Sequence, residues 1–208
     1  MSSNSNRAVL IGAMLQKAED FSRWAVWAAG TLMLASVVLI CFDVLTRKFL
    51  NFAANGSNEL SGYAFAISTS WALAFGVLQR INVRVDVLYR LLPVRVGAIL
   101  DWLSLVLLGV FAGYLTYYAS IVAQTSWMQQ ATANTSLGTP LWIPQFLWVI
   151  GMAWMCIVIA LMLFRSSIAL VTGDIAVVRE LCGHRSSLDE AEEEAALAEE
   201  RVAMGDRQ

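Results

Sequence analysis

Four long apolar runs, separated by short polar stretches, set the plan of this chain. They cover about 24–45, 60–78, 102–122 and 141–164. A helix rises about 1.5 Å per residue, so each run is about long enough to cross a hydrocarbon core of roughly 30 Å. Between Trp102 and Phe164 there is no Asp, Glu, Lys or Arg. Backbone in lipid must satisfy its own hydrogen bonds, so runs of this kind fold as helices. The pattern predicts an all-α integral membrane protein with four transmembrane helices, both termini on one side.

The flanks are different. Residues 1–23 are polar and then mildly amphipathic, with Val9, Leu10, Ile11, Met14 and Leu15 against Lys17, Glu19 and Asp20. This segment is expected on the membrane surface. The first apolar run is too long for a signal peptide and no cleavage site follows, so it reads as a retained span. Residues 165–185 are again amphipathic and are expected to lie at the interface. Residues 186–208 form an acidic tail, with Ser187 and Glu190 spaced as a capping box, read as a solvated helix or a disordered end. Residues 51–56 form a short turn, which makes the first two helices antiparallel neighbours. Ser57 is the expected N-cap of the second helix, with Glu59 in its first turn. Pro144 suits the first turn of the fourth helix, where its missing N–H costs nothing.

Charge gives the orientation. Lys and Arg number three before the first span, two in the first loop, four in the second, none in the third and five after the fourth. Twelve on one face against two on the other place both termini and the second loop in the cytoplasm. The composition, 58% hydrophobic and 14% charged, is far from the quarter or so of charged residues usual in soluble domains. No basic face or reading motif points to nucleic acid. Cys41, Cys156 and Cys182 have no metal-ligand spacing, and the single histidine, His184, excludes a haem held by paired histidines. No catalytic triad, phosphate loop or zinc motif occurs, so no catalytic, cofactor or metal residues are expected.

What remains is a small set of polar groups near the ends of the apolar runs. Asp43 and Arg47 form an i,i+4 pair in the favoured order, and the short turn brings Glu59 to the same interface. An ionised group in hydrocarbon costs about 2.5–3.5 kcal/mol, so Asp43 needs a partner or water. Asp43, Arg47 and Glu59 are read as a structural charge network pinning the first two helices together, with a proton or ion relay as the alternative. Ala72 with Gly76, and Gly109 with Gly113, have the small-xxx-small spacing of close helix contacts. Trp71, Trp148 and Trp154 fall within spans, where an indole N–H needs a partner. Packing against a partner protein is the expectation for them.

Four motifs, taken in order, carry a resemblance. They are F-D-V-L-T-R-K-F-L closing the first span, N-E-L-S-G-Y-A-F opening the second, L-Q-R-I-N-V-R-V-D-V-L-Y-R-L-L-P in the second loop, and T-P-L-W-I-P-Q-F at the fourth. The chain resembles, over about 24–164, the small membrane subunit (DctQ-like, Q) of tripartite ATP-independent periplasmic (TRAP) transporters. Members often show two acids where this chain has Asn58-Glu59. The resemblance implies a bacterial inner-membrane protein working with a large membrane subunit and a periplasmic substrate-binding protein that captures an organic acid anion. Sodium coupling would reside in the large subunit, leaving this chain without a cofactor. It implies structural or interface roles for Arg47, Glu59, Arg84 and Asp86. Arg80, Arg84 and Asp86 belong to the cytoplasmic loop motif, and Pro140, Trp142 and Pro144 to the periplasmic entry of the fourth span. Two other readings are a stand-alone proton-coupled exporter acting as a homodimer, and an anchor for the acidic tail.

Overall fold

The computed structural model describes residues 2–50, 56–80, 93–135 and 137–172. Among them the chain forms four helices: α1, Ser2–Leu50; α2, Ser57–Leu78; α3, Val94–Met128; and α4, Trp142–Thr172. Each contains a stretch long and apolar enough to cross a membrane, namely Gly12–Phe49, Ser57–Leu78, Val96–Met128 and Trp142–Leu170. The four expected spans are present, and three of them belong to helices longer than the apolar runs suggest.

The extension has a physical reason. No proline interrupts residues 2–50, so the amphipathic start continues into the first span as one helix. Leu15 and Ala18 do not rest on a surface of their own; they are buried in the main core beside Met155, Val158 and Met162. At the other end, residues beyond Phe164 continue α4, and Ala169 packs on Ala98 of α3. The rest of the 165–185 segment and the acidic tail lie outside the described residues.

The helices form an open row in the order α1, α2, α4, α3. Contact is extensive between α1 and α2, between α2 and α4, and between α4 and α3, while α1 touches α4 less and, among the described residues, α3 packs chiefly on α4. Ser68 of α2 donates to the Ala29 carbonyl of α1, and Gln79 donates to Glu19, which sets α1 and α2 antiparallel. Trp71 of α2 donates to the Leu147 carbonyl near the start of α4, so these two central helices run the same way. Trp127 meets Trp142 edge-on at one end of the α3–α4 pair, and Trp102 bonds Ser167 at the other. The fold is thus two antiparallel hairpins laid side by side, joined by a parallel central seam.

Small residues decide how close that seam can be. A Cβ added to Gly151 of α4 would stand 2.6 Å from Ser70 Oγ, 2.9 Å from Trp71 Cδ1 and 3.1 Å from the Ser70 backbone carbon. Only glycine permits that approach, as in other close membrane-helix contacts. In α2 the buried stripe is Ala64, Ser68, Ser70, Ala74 and Val77; Ala72 and Gly76 are half-buried beside it. In α3 the two glycines of G-x-x-x-G part company. Gly109 faces Ile159, 3.1 Å from where a Cβ would lie, whereas Gly113 faces open space.

Indole N–H groups stitch the helices. Trp154 of α4 donates to Ser22 Oγ of α1 at 3.0 Å, Trp71 reaches α4, and Trp102 ties α3 to α4. Thr116 and Cys156 Sγ meet at 3.2 Å across the α3–α4 seam. Such bonds between membrane helices contribute about 0.6 kcal/mol each. Phe21 adds an edge-on contact to Trp154, with ring centroids 4.7 Å apart. Trp71 and Trp154 therefore find their partners inside this chain, not in another protein as the sequence suggested.

Candidate functional site

The end of the row where α1 gives way to α2 gathers most of the residues singled out from the sequence. Asp43 lies on the last turns of α1, its side chain only 4% exposed, and Arg47 one turn on donates to its Oδ2 at 2.7 Å. Thr46, between them, bonds back to the Phe42 and Asp43 carbonyls. The carboxylate is thereby held near the interface by a cation whose own side chain is 60% exposed, so the charge pair is buried on one side and wet on the other. Asp43, Arg47, Lys48 and Asn58 line one shallow cleft with Ile40 and Val44.

Glu59 takes no part in that pair. It sits on the first turn of α2, where the helix dipole favours an anion. Tyr63, one turn on, donates to its Oε1 at 2.7 Å, and Thr135 of the α3–α4 loop donates to Oε2. Among the described residues Arg47 pairs with Asp43, while Glu59 bonds Tyr63 and Thr135 and makes no ion pair with Arg47. The cause is helical geometry: Asn58 faces the cleft, and the next residue is turned about 100° away from it. Ser57 is not the cap either. It lies inside the helix and is buried, while Gly56 holds the cap position with φ 99 and no side-chain cap bond.

Gly56 is needed there twice over. Its left-handed backbone is costly for any residue with a Cβ, and Leu137 of the α3–α4 loop packs directly over it, where a Cβ would collide. That loop is a small hairpin. Ala133 N–H bonds the Thr139 carbonyl, Leu141 N–H bonds the Ala131 carbonyl, and Thr132 and Pro140 form an isolated antiparallel bridge. Thr135 against Glu59 and Leu137 over Gly56 latch it onto the start of α2. Trp142 opens α4 and meets Trp127 edge-on at 4.6 Å, with Phe146 beside both. Pro144 is buried in the first turn of α4, as its missing N–H requires.

At this end, two described cations, Arg47 and Lys48, balance two carboxylates, Asp43 and Glu59. The opposite end carries Lys17, Glu19, Asp20, Arg23, Arg80, Asp101 and Arg165. Arg80 follows the Gln79 cap of α2 with φ 55. Arg84 and Asp86 lie outside the described residues. Arg165 rests its guanidinium against Gly12 of α1. Asp101 is 4% exposed and lies on the second turn of α3. Between the two ends the row is packed with Ala74, Ala112, Met155, Val158 and Ile159, each at most 6% exposed.

Sequence reasoning missed Thr135, Ser22, Ser70 and Ser166. A polar residue that meets a helix far away in sequence, whether buried like Ser22 and Ser70 or exposed like Thr135, leaves no local pattern. The only available hint was serine recurring inside apolar runs.

No curated protein and no solved structure matches the chain. Residues 36–168 match the family described as tripartite ATP-independent periplasmic transporters, DctQ component. That stretch runs from the middle of α1 to near the end of α4 and includes the Asp43–Arg47 pair, the Glu59–Thr135 latch and the central seam. With four membrane-crossing helices and a match over most of its length, the chain is a multi-pass membrane protein that belongs to the DctQ component family of tripartite ATP-independent periplasmic transporters.

Proposed function

We propose that this chain is the small, non-transporting membrane subunit of a sodium-driven transporter for organic acid anions. It seats beside the large membrane subunit and braces it in the bilayer. It also adds surface on which the periplasmic binding protein docks. The observation that carries this reading is the mid-depth packing of the row. Residues such as Val158 and Ile159 are 0% and 1% exposed where an anion path would need convergent donors. The described charges stand at the two ends instead.

The excess of Lys and Arg in the termini and second loop supports a cytoplasmic location for both termini. The Asp43, Arg47 and Glu59 end then faces the periplasm. The latched hairpin with Pro140, Trp142 and Pro144 would be the part nearest the binding protein. Arg80, Arg84 and Asp86 would face the cytoplasm, on or near the contact with the large subunit. The sodium and substrate sites would belong to the large subunit, and this chain would carry no cofactor.

The test is reconstitution. The chain is purified with and without the co-expressed large subunit and each preparation is placed in proteoliposomes with the binding protein. Sodium-dependent uptake is expected only when both membrane subunits are present, and the two are expected to co-purify. Solute flux through this chain alone would replace the proposal with that of a self-sufficient exporter.

A further inference from the structure

We infer that the outer face of α3, centred on Tyr114, Tyr117 and Tyr118, is the surface against which the large membrane subunit seats. The inference rests on the reading just proposed and adds which face is used. α3 is an edge of the row and, among the described residues, packs chiefly on α4. Its far side exposes Leu107, Val110, Phe111, Tyr114, Tyr117 and Tyr118. An exposed apolar helix face by itself suits lipid. Three phenols at this depth do not.

Depth follows from the helix itself. Trp102 and Trp127 mark its two interfacial ends, and Tyr114 stands midway between them, about 18–20 Å along the axis from each. Tyr117 lies about 15 Å from Trp127, well inside a core of roughly 30 Å. Tyrosine favours the headgroup level, where its hydroxyl is wet. Here the side chains are 61%, 61% and 49% exposed in chain order, at the middle of the membrane.

The hydroxyls also lack the outlet other hydroxyls use. Ser120 and Thr125 of α3 bond back to the Tyr117 and Ile121 carbonyls of their own helix. A phenol is held too far from its own backbone to do so. The Tyr114 and Tyr118 rings meet at a tilt, with centroids 4.6 Å apart. The Tyr117 hydroxyl meets no hydrogen-bond partner among the described residues, and its ring only stands edge-on to Tyr118 at 5.3 Å. A polar group facing hydrocarbon without a partner is costly. A helix of another protein that offers donors or acceptors at mid-depth removes that cost. The opposite edge gives the contrast: the exposed face of α1 around Leu34, Val38 and Phe42 carries no such group, and its Thr31 and Ser36 bond their own backbone.

The experiment uses the co-expressed complex in native membranes. A photoreactive benzoylphenylalanine is placed at position 117 and, in a separate chain, at position 38. Position 117 is expected to give an adduct with the large subunit and position 38 none. Tyr117→Phe, which keeps the ring and the fold, is expected to lower the co-purified large subunit about threefold, the scale of one lost interhelical hydrogen bond. An adduct from position 38 and none from 117 overturns the choice of face while co-purification keeps the subunit reading. An adduct from 117 only with a second copy of this chain, or only with lipid, overturns it as well. Failure of the unmodified chain to co-purify overturns both.

Discussion

The two edges of the row, α1 and α3, both cross the membrane with one face uncovered but are held differently. α1 lies along α2 and also reaches α4 through Phe21 and the Ser22–Trp154 bond. Among the described residues α3 leans chiefly on α4, through Gly109, the Thr116–Cys156 contact and the Trp102–Ser167 bond. An edge with two neighbours tolerates the loss of one stitch. An edge with one neighbour does not. The difference means that α3 is the helix whose docking is most easily disturbed from within, and the one that gains most from cover on its free side.

The largest effect is expected where the seam between the two hairpins is opened. Gly151→Val should force α2 and α4 apart, because the nearest atoms include backbone that cannot turn aside. Overpacking of this kind costs about 1–3 kcal/mol or more. Thermal unfolding in detergent should show a clear fall in Tm, and an unchanged Tm would mean that the central seam is not the keystone of the row.

A more selective break separates the edges. Gly109→Leu should loosen α3 and leave α1 in place, while Gly113→Leu, facing open space, should do little. Cys156 reports the difference, since it lies in the α3–α4 seam. In a Cys41→Ser, Cys182→Ser background, Gly109→Leu should speed its labelling by a small membrane-permeant maleimide, and Gly113→Leu should not. Equal rates in the two variants would show that α3 has a second support.

The smallest expected effect compares matched stitches. Trp154→Phe removes a bond from the doubly held α1 and Trp102→Phe removes one from α3. Each should lower stability by about 0.6 kcal/mol. Only Trp102→Phe should raise the labelling of Cys156. If Trp154→Phe does so equally, the seams are coupled and the edges do not differ as described.

Much of the fold was legible in the sequence. The apolar runs place all four crossings because lipid imposes one rule on every residue within it. The Asp43–Arg47 pair was legible because both partners lie on one helix, four residues apart. The short turn gave the antiparallel α1–α2 pair. The order of the row was not legible, since it depends on Gly151 meeting Ser70, a match between surfaces that no periodicity encodes. Glu59 was placed at the right interface with the wrong partner. Its donor, Thr135, lies 76 residues away, and a nearby arginine was the stronger local signal. The first helix was read too short because Lys17, Glu19 and Asp20 look like a boundary. Those charges lie on a helix that continues unbroken, with Leu15 and Ala18 buried on another face.

The unequal lengths of the crossings have a consequence for where the protein works. The apolar stretch of α2, 22 residues, spans about 33 Å and fits an ordinary bilayer. The helical segments of α1 and α3 that cross it, 38 and 33 residues, come to about 57 and 50 Å, and that of α1 carries Lys17, Glu19, Asp20 and Arg23 at one end. Helices longer than the hydrocarbon thickness lean within it or overhang it at their charged ends. A thinner membrane would make the whole row recline further, so bilayer thickness is itself a variable that sets the angle at which this wall meets its neighbour.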